Sequence, residues 1–154
     1  MAWGGFCGFK KSPLYFVPGK AKLDAKLYRD EILEPILIPF WHEVCEEYGW
    51  VKVVEDGAPG HKGAAKEYRE QCGVDNIQWP AQSPDLNLIE AVWQEMENNL
   101  GAIWGRSTSI AAIQEQCRYV WDTYITPEFL DGLIRSMPQR IEAVIQANGG
   151  ATPY

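Results

Sequence analysis

The alternation of apolar and polar positions predicts short strands at the start of the chain, mixed helix and strand in its middle, and helices at its end. Apolar side chains among glycines favour a strand over residues 1–9, and residues 14–17 favour its partner. Residues 10–13, which read Lys-Lys-Ser-Pro, are typical of a turn between two strands. The first seventeen residues therefore predict a hairpin.

A long helical pattern follows the predicted hairpin. Asp24 can cap a helix that reaches about residue 33, and apolar positions at helical spacing continue to about residue 48. Pro35 and Pro39 lie inside this pattern, and proline removes a helical hydrogen bond. We therefore expect a break near Glu34 and a second helix after it.

The middle of the chain alternates strand and helix. Residues 51–55 form a β-branched run that predicts a strand, and residues 76–78 predict a shorter one. A helix is expected between them, from about residue 60 to residue 71, with Gly73 closing it. This order of strand, helix and strand is typical of an α/β protein.

A further helix is predicted by apolar residues at positions 88, 92, 96 and 100. Asn87 can cap it, and Glu90 then falls at the position where a capping-box glutamate is found. We expect this helix to reach about residue 99 and to end at Gly101 and Gly105. Glu90 can thus be read as a purely structural residue.

The last third of the chain predicts a tail of two or three helices. The first runs from about residue 107 to residue 124, and Thr126 is a suitable cap for the next one. Pro138 is expected to restart the helix, and the Asn-Gly-Gly sequence at residues 148–150 is expected to stop it.

Composition favours one packed domain with a weak affinity for nucleic acid. The chain has 154 residues, of which 46% are hydrophobic, and its net charge is -7. Duplex binding depends on Lys and Arg, and 14 basic residues face 21 acidic ones, which argues against strong autonomous DNA binding. The four cysteines are scattered, which is typical of reduced thiols rather than of a disulfide framework. No apolar run approaches the length of a membrane span, and no signal peptide or basic nuclear address is visible.

Two acids stand where chemistry can occur. Asp56 ends the predicted strand, directly before a Gly/Pro loop, and the carboxyl ends of such strands often carry sites. Glu90 follows after 33 intervening residues, on the first turn of a helix. The pair could share a metal ion, although Asp56 alone is also typical of a turn-initiating aspartate.

The segments around these acids resemble the Tc/mariner superfamily of DNA transposases. Residues 55–61 read Glu-Asp-Gly-Ala-Pro-Gly-His, similar to the aspartate loop of that family, and residues 79–90 read Trp-Pro-Ala-Gln-Ser-Pro-Asp-Leu-Asn-Leu-Ile-Glu, similar to its glutamate block. Gly57 stands where the family usually has Asn, and Leu88 where it often has Pro. The hairpin at the start and residues 135–140 near the end also resemble these proteins, the latter particularly the fungal ones.

This resemblance implies an α/β protein with an incomplete ribonuclease-H-like fold, whose first strand is missing, and a C-terminal helical tail. Residues 1–104 would be the catalytic domain and residues 105–154 its helical extension. The family uses three carboxylates that hold two Mg²⁺ or Mn²⁺ ions. Asp56 matches the second carboxylate and Glu90 the third, as catalytic and metal-binding residues, while the first has no match.

Other residues near these acids have less specific roles. His61 matches the loop histidine of the family and could contact a nucleic-acid phosphate, or it could be a solvated histidine at a helix start. Glu55 should face the opposite side of the strand from Asp56, and Asp85 is better placed to order its loop than to replace the missing ligand.

The expected function is therefore that of a DNA transposase remnant that binds nucleic acid at most and is inactive alone, because the first catalytic aspartate is absent. The alternative is an active Mg²⁺-dependent nuclease domain, if the N-terminal part is supplied. DNA is the expected partner, self-association through exposed strand edges is expected where the first strand is missing, and no membrane is involved. A nuclear location is expected from the resemblance alone.

Overall fold

A computed structural model describes residues 1–19, 21–80, 83–104 and 109–154, and the chain divides into two compact units. The first comprises Met1–Cys7 and Lys11–Gln82, and the second comprises Gly8–Lys10 and Ser83–Tyr154. Helix and strand are both present, as expected, but the described strands are short. The ribonuclease-H-like fold and the division at residue 104 stay predictions.

The chain begins with the expected hairpin, whose turn lies earlier than expected. Strand β1 (Ala2–Trp3) pairs antiparallel with β4 (Tyr15–Phe16), and β2 (Phe6–Cys7) pairs with β3 (Lys10–Lys11). The turn therefore includes Gly8, at φ 57°, where glycine avoids the strain that a side chain would meet. The predicted turn at residues 10–13 was wrong because its lysines form β3.

Ser12 lies between the two short strand pairs of the hairpin and bonds to the residue opposite it. This side chain is buried, and its hydroxyl accepts a hydrogen bond from the Gly5 backbone N–H at 2.9 Å. Its own backbone N–H donates to the Gly5 carbonyl at 2.8 Å. Ser12 thus joins the two short strand pairs, instead of forming part of a turn.

The predicted break near Glu34 was also wrong. Helix α1 (Ala25–Tyr28) is capped by the Asp24 carboxylate, as expected, and leads through a π-helical segment (Arg29–Leu37) into α2 (Ile38–Tyr48) without interruption. Pro35 lies inside the π-helical segment, and the Ile38 N–H bonds back to the Leu33 carbonyl. The wider π turn accommodates a proline that an α-helix would have to exclude.

Burial provides the physical reason for this continuity. Five residues of the first unit form a core that excludes water, and all but Ala65 come from the α1 and π-helical segments: Tyr28, Ile32, Leu33, Leu37 and Ala65. Ending the helix at Glu34 would withdraw Leu37 from that core. Burying a leucine side chain contributes roughly 1.5–3 kcal/mol, comparable with the cost of proline inside a helix.

The middle of the first unit holds the loop that carries Asp56. The expected strand at residues 51–55 is reduced to a parallel bridge between Val53 and Asn76. Its two hydrogen bonds run from the Val53 N–H to the Asp75 carbonyl at 2.8 Å and from the Ile77 N–H to the Val53 carbonyl at 2.9 Å. The loop after Val53 enters a single 3-10 turn, Pro59–His61, before helix α3, Ala64–Gln71.

The end of α3 was predicted correctly. Gly73 has φ 73°, and its N–H donates to the Glu70 carbonyl at 3.1 Å. The Val74 N–H donates to the Arg69 carbonyl at 3.0 Å, which completes the hydrogen-bond pattern of a Schellman motif.

Three helices form most of the second unit: α4 (Leu88–Trp104), α5 (Ile110–Thr123) and α6 (Pro127–Gln146). The caps of the last two are Ser109 and, as predicted, Thr126. Two boundaries were wrong, since Gly101 lies inside α4 and Pro138 inside α6. Gly105 and the expected start of the tail at residue 107 lie outside the described residues.

The core of the second unit comes from the faces that the apolar spacing indicated. Its buried apolar side chains are Val92, Met96, Val120, Trp121, Ile125 and Leu130. Trp93 stacks on Trp121 with a ring separation of 5.8 Å. The predicted stop after α6 is confirmed, because Gly149, at φ 78°, donates its N–H to the Val144 carbonyl. None of the described helices is long and apolar enough to cross a membrane.

Candidate functional site

Asp56 initiates a tight turn and still presents a carboxylate to solvent. Its Oδ1 accepts a hydrogen bond from the Ala58 N–H at 3.0 Å, the geometry of an Asx turn. The turn-initiating reading is therefore confirmed. The side chain is nevertheless 54% exposed, and no hydrogen bond within the described part of the chain engages Oδ2. Turn formation and a binding role are thus compatible in this residue.

His61 contacts Asp56 twice. Its Nδ1 lies 2.9 Å from the Asp56 Oδ1 and 3.1 Å from the Asp56 backbone carbonyl. Both neighbours are acceptors, so the proton of a neutral imidazole is assigned to Nδ1. Only 16% of the side chain is exposed, and its ring lies 4.6 Å from that of Tyr28. The reading of His61 as a solvated histidine was therefore wrong, while its contact with nucleic acid stays a prediction.

A buried charged network lies beneath the Asp56 loop. The Glu55 carboxylate is 7% exposed and pairs with the Arg69 guanidinium, which is 6% exposed, at 2.9 Å between Oε2 and Nη1. The second guanidinium nitrogen, Nη2, donates to the His61 backbone carbonyl at 2.7 Å. Arg69 therefore connects the residue before Asp56 with the end of the loop that follows it.

The Glu55 carboxylate also accepts hydrogen bonds from two neutral donors. The Asn76 side-chain N–H₂ donates to Oε2 at 2.7 Å, and the Tyr28 hydroxyl donates to Oε1. Burial and the neighbouring Glu55 carboxylate raise the pKa of Tyr28 well above its usual value. The phenol therefore stays protonated and available as a donor.

These contacts confirm that Glu55 and Asp56 face opposite sides of the chain. Glu55 points into the unit, and Asp56 points outward, as the alternation of an extended segment requires. Sequence reasoning missed Tyr28, Arg69 and Asn76 as partners. The signal that could have found Arg69 is the inward-facing Glu55 itself, because a buried acid requires a partner, and Arg69 stands on the helix that follows the loop.

Glu90 has a simpler environment. It is exposed on the first turn of α4, and its backbone N–H donates to the Asn87 carbonyl at 3.0 Å. Neither its carboxylate nor the Asn87 side chain makes a hydrogen bond within the described ranges. The expected capping box is therefore not formed, and the Glu90 side chain is left open to a ligand.

The loop before α4 is anchored by the C-terminal tail. The Asp85 carboxylate accepts a hydrogen bond from the Thr152 hydroxyl at 3.0 Å, and its backbone carbonyl accepts one from Arg140 Nη1 at 2.7 Å. Arg140 is buried, bonds to the Ser136 hydroxyl through Nε at 2.9 Å, and lies 4.5 Å from the Tyr154 ring. The prediction that Asp85 orders its loop is confirmed.

The two acids do not by themselves complete a metal site. Across the residues that the structure describes, no group of three or more His, Cys, Asp or Glu side chains is arranged to hold a metal ion. Asp56 belongs to the first unit and Glu90 to the second, so their expected approach stays a prediction. Each is an exposed carboxylate, the hard oxygen donor that Mg²⁺ and Mn²⁺ prefer, so the residues fit such an ion as partial ligands.

Comparison with known proteins finds relatives along the whole chain. It is 35% identical over 155 residues to the transposable element Tc1 transposase of Caenorhabditis elegans, and 34% identical to the Tcb1 transposase of Caenorhabditis briggsae. Each match covers 100% of this chain and 54% of the relative. The Tc3 transposase of Caenorhabditis elegans is 26% identical, with 45% of its length covered. No protein-family model matches. The chain thus spans about half the length of the curated relatives it matches.

Proposed function

We propose that the chain, which is similar along its whole length to the Tc1 and Tcb1 transposases, is a transposase remnant that retains two metal-binding carboxylates. Asp56 and Glu90 are the proposed catalytic and metal-ligating residues. The observation that carries this proposal is the Asp56 loop, where an exposed carboxylate is presented by a loop that the buried ion pair of Glu55 and Arg69 supports.

A bound Mg²⁺ or Mn²⁺ ion would supply charge neutralisation at phosphorus and activation of the attacking oxygen. The protein groups would contribute binding and orientation: Asp56 through Oδ2, and Glu90 through an unengaged carboxylate on a helical turn. In such a site the His61 Nδ1 holds Asp56 Oδ1. The other ring nitrogen, Nε2, is then an acceptor, so it could contact the substrate only where the substrate offers a hydrogen-bond donor. We therefore expect His61 to act mainly on Asp56, with any contact to a DNA phosphate requiring a protonated ring.

DNA is the proposed partner, because the relatives are transposases. The net charge of -7 makes binding by these 154 residues weak, and we expect it to fall further as salt is added. A nuclear location is proposed on the same ground. Exposed apolar residues near the bridge, Trp50, Val54 and Ile77, make self-association through this edge a further proposal, which sedimentation at several concentrations would test.

Plasmid nicking tests the proposal. The 154-residue polypeptide should leave supercoiled DNA intact in Mg²⁺ or Mn²⁺, because two carboxylates leave a two-ion site under-coordinated. Nicking that is lost in both Asp56→Asn and Glu90→Gln would instead establish the active alternative. Calorimetric titration with Mn²⁺ should show one weak site that either substitution abolishes, whereas tight binding of two ions would contradict the ligand count.

The alternative, an active nuclease domain once its N-terminal part is supplied, can be tested separately. In a chimaera, these residues replace the matching 155 residues of the Tc1 transposase. Metal-dependent nicking by the chimaera that requires Asp56 and Glu90 would favour the alternative. A folded chimaera without nicking would favour the remnant.

A further inference from the structure

The buried charged network suggests a role beyond stability. Asp56 must be held in one orientation to serve as a metal ligand. The loop that follows it consists of small residues, whose side chains offer little to hold it. Its carboxylate is held by the His61 ring, and the His61 backbone is held in turn by Arg69. Arg69 is itself fixed by Glu55, the residue next to Asp56. The contacts therefore form a closed circuit around the loop.

We propose that Arg69 is a positioning residue for Asp56, acting through His61, with Glu55 as its buried counter-ion. This inference rests on the proposed metal-binding role of Asp56. The argument depends on the forked shape of the guanidinium. One nitrogen, Nη1, forms an ion pair with the Glu55 carboxylate that lacks the alignment of a hydrogen bond, while the other, Nη2, donates to the His61 carbonyl. A planar fork can make both contacts in one fixed geometry, and an ammonium group cannot.

Two further contacts make the circuit rigid. The Tyr28 ring packs against the His61 ring and its hydroxyl donates to Glu55, so one residue of α1 restrains both ends of the circuit. Asn76 adds a donor to Glu55 from the far side of the parallel bridge. The loop is thereby held from α1, from α3 and from the bridge. A ligand that is held in place before the metal ion arrives binds the ion more tightly. Residues that hold metal ligands therefore commonly have a strong effect on metal affinity.

The substitution Arg69→Lys tests the inference, because it keeps the positive charge opposite Glu55 and removes the fork. The first measurement is Mn²⁺ binding by the full 154-residue chain, which should weaken by about tenfold or more. The second is hydrogen exchange at the Ala58 and His61 amides, whose acceptors are Asp56 Oδ1 and the Ala58 carbonyl. Their exchange should become about tenfold faster, while the Leu130 amide of the second unit is unchanged.

Arg135→Lys is the matched control. Arg135 lies on α6 in the second unit, is 77% exposed and pairs with Asp131 four residues away. The same chemical change there should alter neither Mn²⁺ affinity nor exchange in the loop. Should Arg69→Lys fail to fold, the double variant Glu55→Gln with Arg69→Met removes both buried charges together, which buried ion pairs often tolerate. It should show the same faster exchange.

The outcomes separate this inference from the proposed function. Unchanged affinity and unchanged loop exchange in Arg69→Lys would overturn the positioning role. Weaker Mn²⁺ binding without faster loop exchange would also overturn it, because the effect would not pass through the loop. If the wild-type chain binds no Mn²⁺ but the loop exchanges faster in the variant, Arg69 does position Asp56 and the metal role is wrong.

Discussion

The Asp56 loop and the start of α4 present similar acids by different physical means. Asp56 depends on a buried ion pair and on partners from three separate elements. Glu90 depends on the backbone of its own helix, and its preceding loop is anchored by the C-terminal tail through Asp85. A turn of helix orients a side chain with little outside help, whereas an extended loop must be held by contacts distant in sequence.

This difference has a consequence for sensitivity to substitution. Removing one partner of the buried pair leaves an uncompensated charge next to Asp56, and that cost is large. Removing one anchor of the α4 loop leaves the helix intact. Substitutions under the Asp56 loop should therefore affect stability and orientation together, while those near Glu90 should have smaller effects.

The largest expected effect is that of Arg69→Ala. The substitution leaves the Glu55 carboxylate buried and without its counter-ion, so the free energy of unfolding should fall by roughly 3–5 kcal/mol. Urea denaturation followed by tryptophan fluorescence measures it. Arg135→Ala, at an exposed pair, should change stability by less than about 1 kcal/mol. If both variants lost the same free energy of unfolding, the buried pair with Glu55 would contribute no more to stability than an exposed pair.

The second effect concerns the anchor near Glu90. Arg140→Ala removes a hydrogen bond to the Asp85 carbonyl, one to Ser136 and the contact with the Tyr154 ring. A loss of roughly 1–3 kcal/mol is expected, since the part-buried Asp85 carbonyl loses this donor. Thr152→Val removes the bond to the Asp85 carboxylate and the longer one that the Thr152 hydroxyl accepts from the Tyr154 N–H at 3.4 Å, and should cost about 0.5–1.5 kcal/mol. A Thr152→Val loss as large as that of Arg140→Ala would contradict this ranking.

Alkaline pH provides a third test, on the Asp56 side of the comparison. The pKa of Tyr28 is raised by burial and by Glu55, so the folded chain keeps the phenol proton where the unfolded chain loses it. Its contribution to stability is complete below about pH 10, the pKa of an unperturbed tyrosine, and is lost as pH rises towards the folded pKa. In that range the stability difference between wild type and Tyr28→Phe should shrink by about 1.4 kcal/mol per pH unit.

Unfolding curves of both proteins at pH 8 and between pH 10 and 11 would measure this change. The other ionisable side chains are common to both proteins, so their contributions cancel in the difference. A constant difference across that range would mean that the Tyr28 hydroxyl is not held by Glu55 in the folded chain.

The comparison also shows which features the sequence could reveal. The opposite orientation of Glu55 and Asp56 follows from local alternation and was predicted correctly, as was the ordering role of Asp85. The circuit through Arg69 was missed because it joins residues that only the folded chain brings together. The π-helical passage through Pro35 was missed because a local proline rule was applied where burial of Ile32, Leu33 and Leu37 decides the conformation.

The smallest expected effect distinguishes two glycines, one in the helix of Glu90 and one at the end of α3. Gly101 lies inside α4, exposed to solvent, and a Cβ there would meet no atom within 4 Å. Gly101→Ala should therefore raise the free energy of unfolding by about 0.5–1 kcal/mol through helix propensity. Gly73 also has room for a Cβ, but its φ of 73° strains any other side chain, so Gly73→Ala should lower stability by roughly 1 kcal/mol. Thermal unfolding of the two variants should show shifts of opposite sign. Destabilisation by Gly101→Ala would mean that α4 does not continue through residue 101, and the expected helix end at that glycine would then be restored.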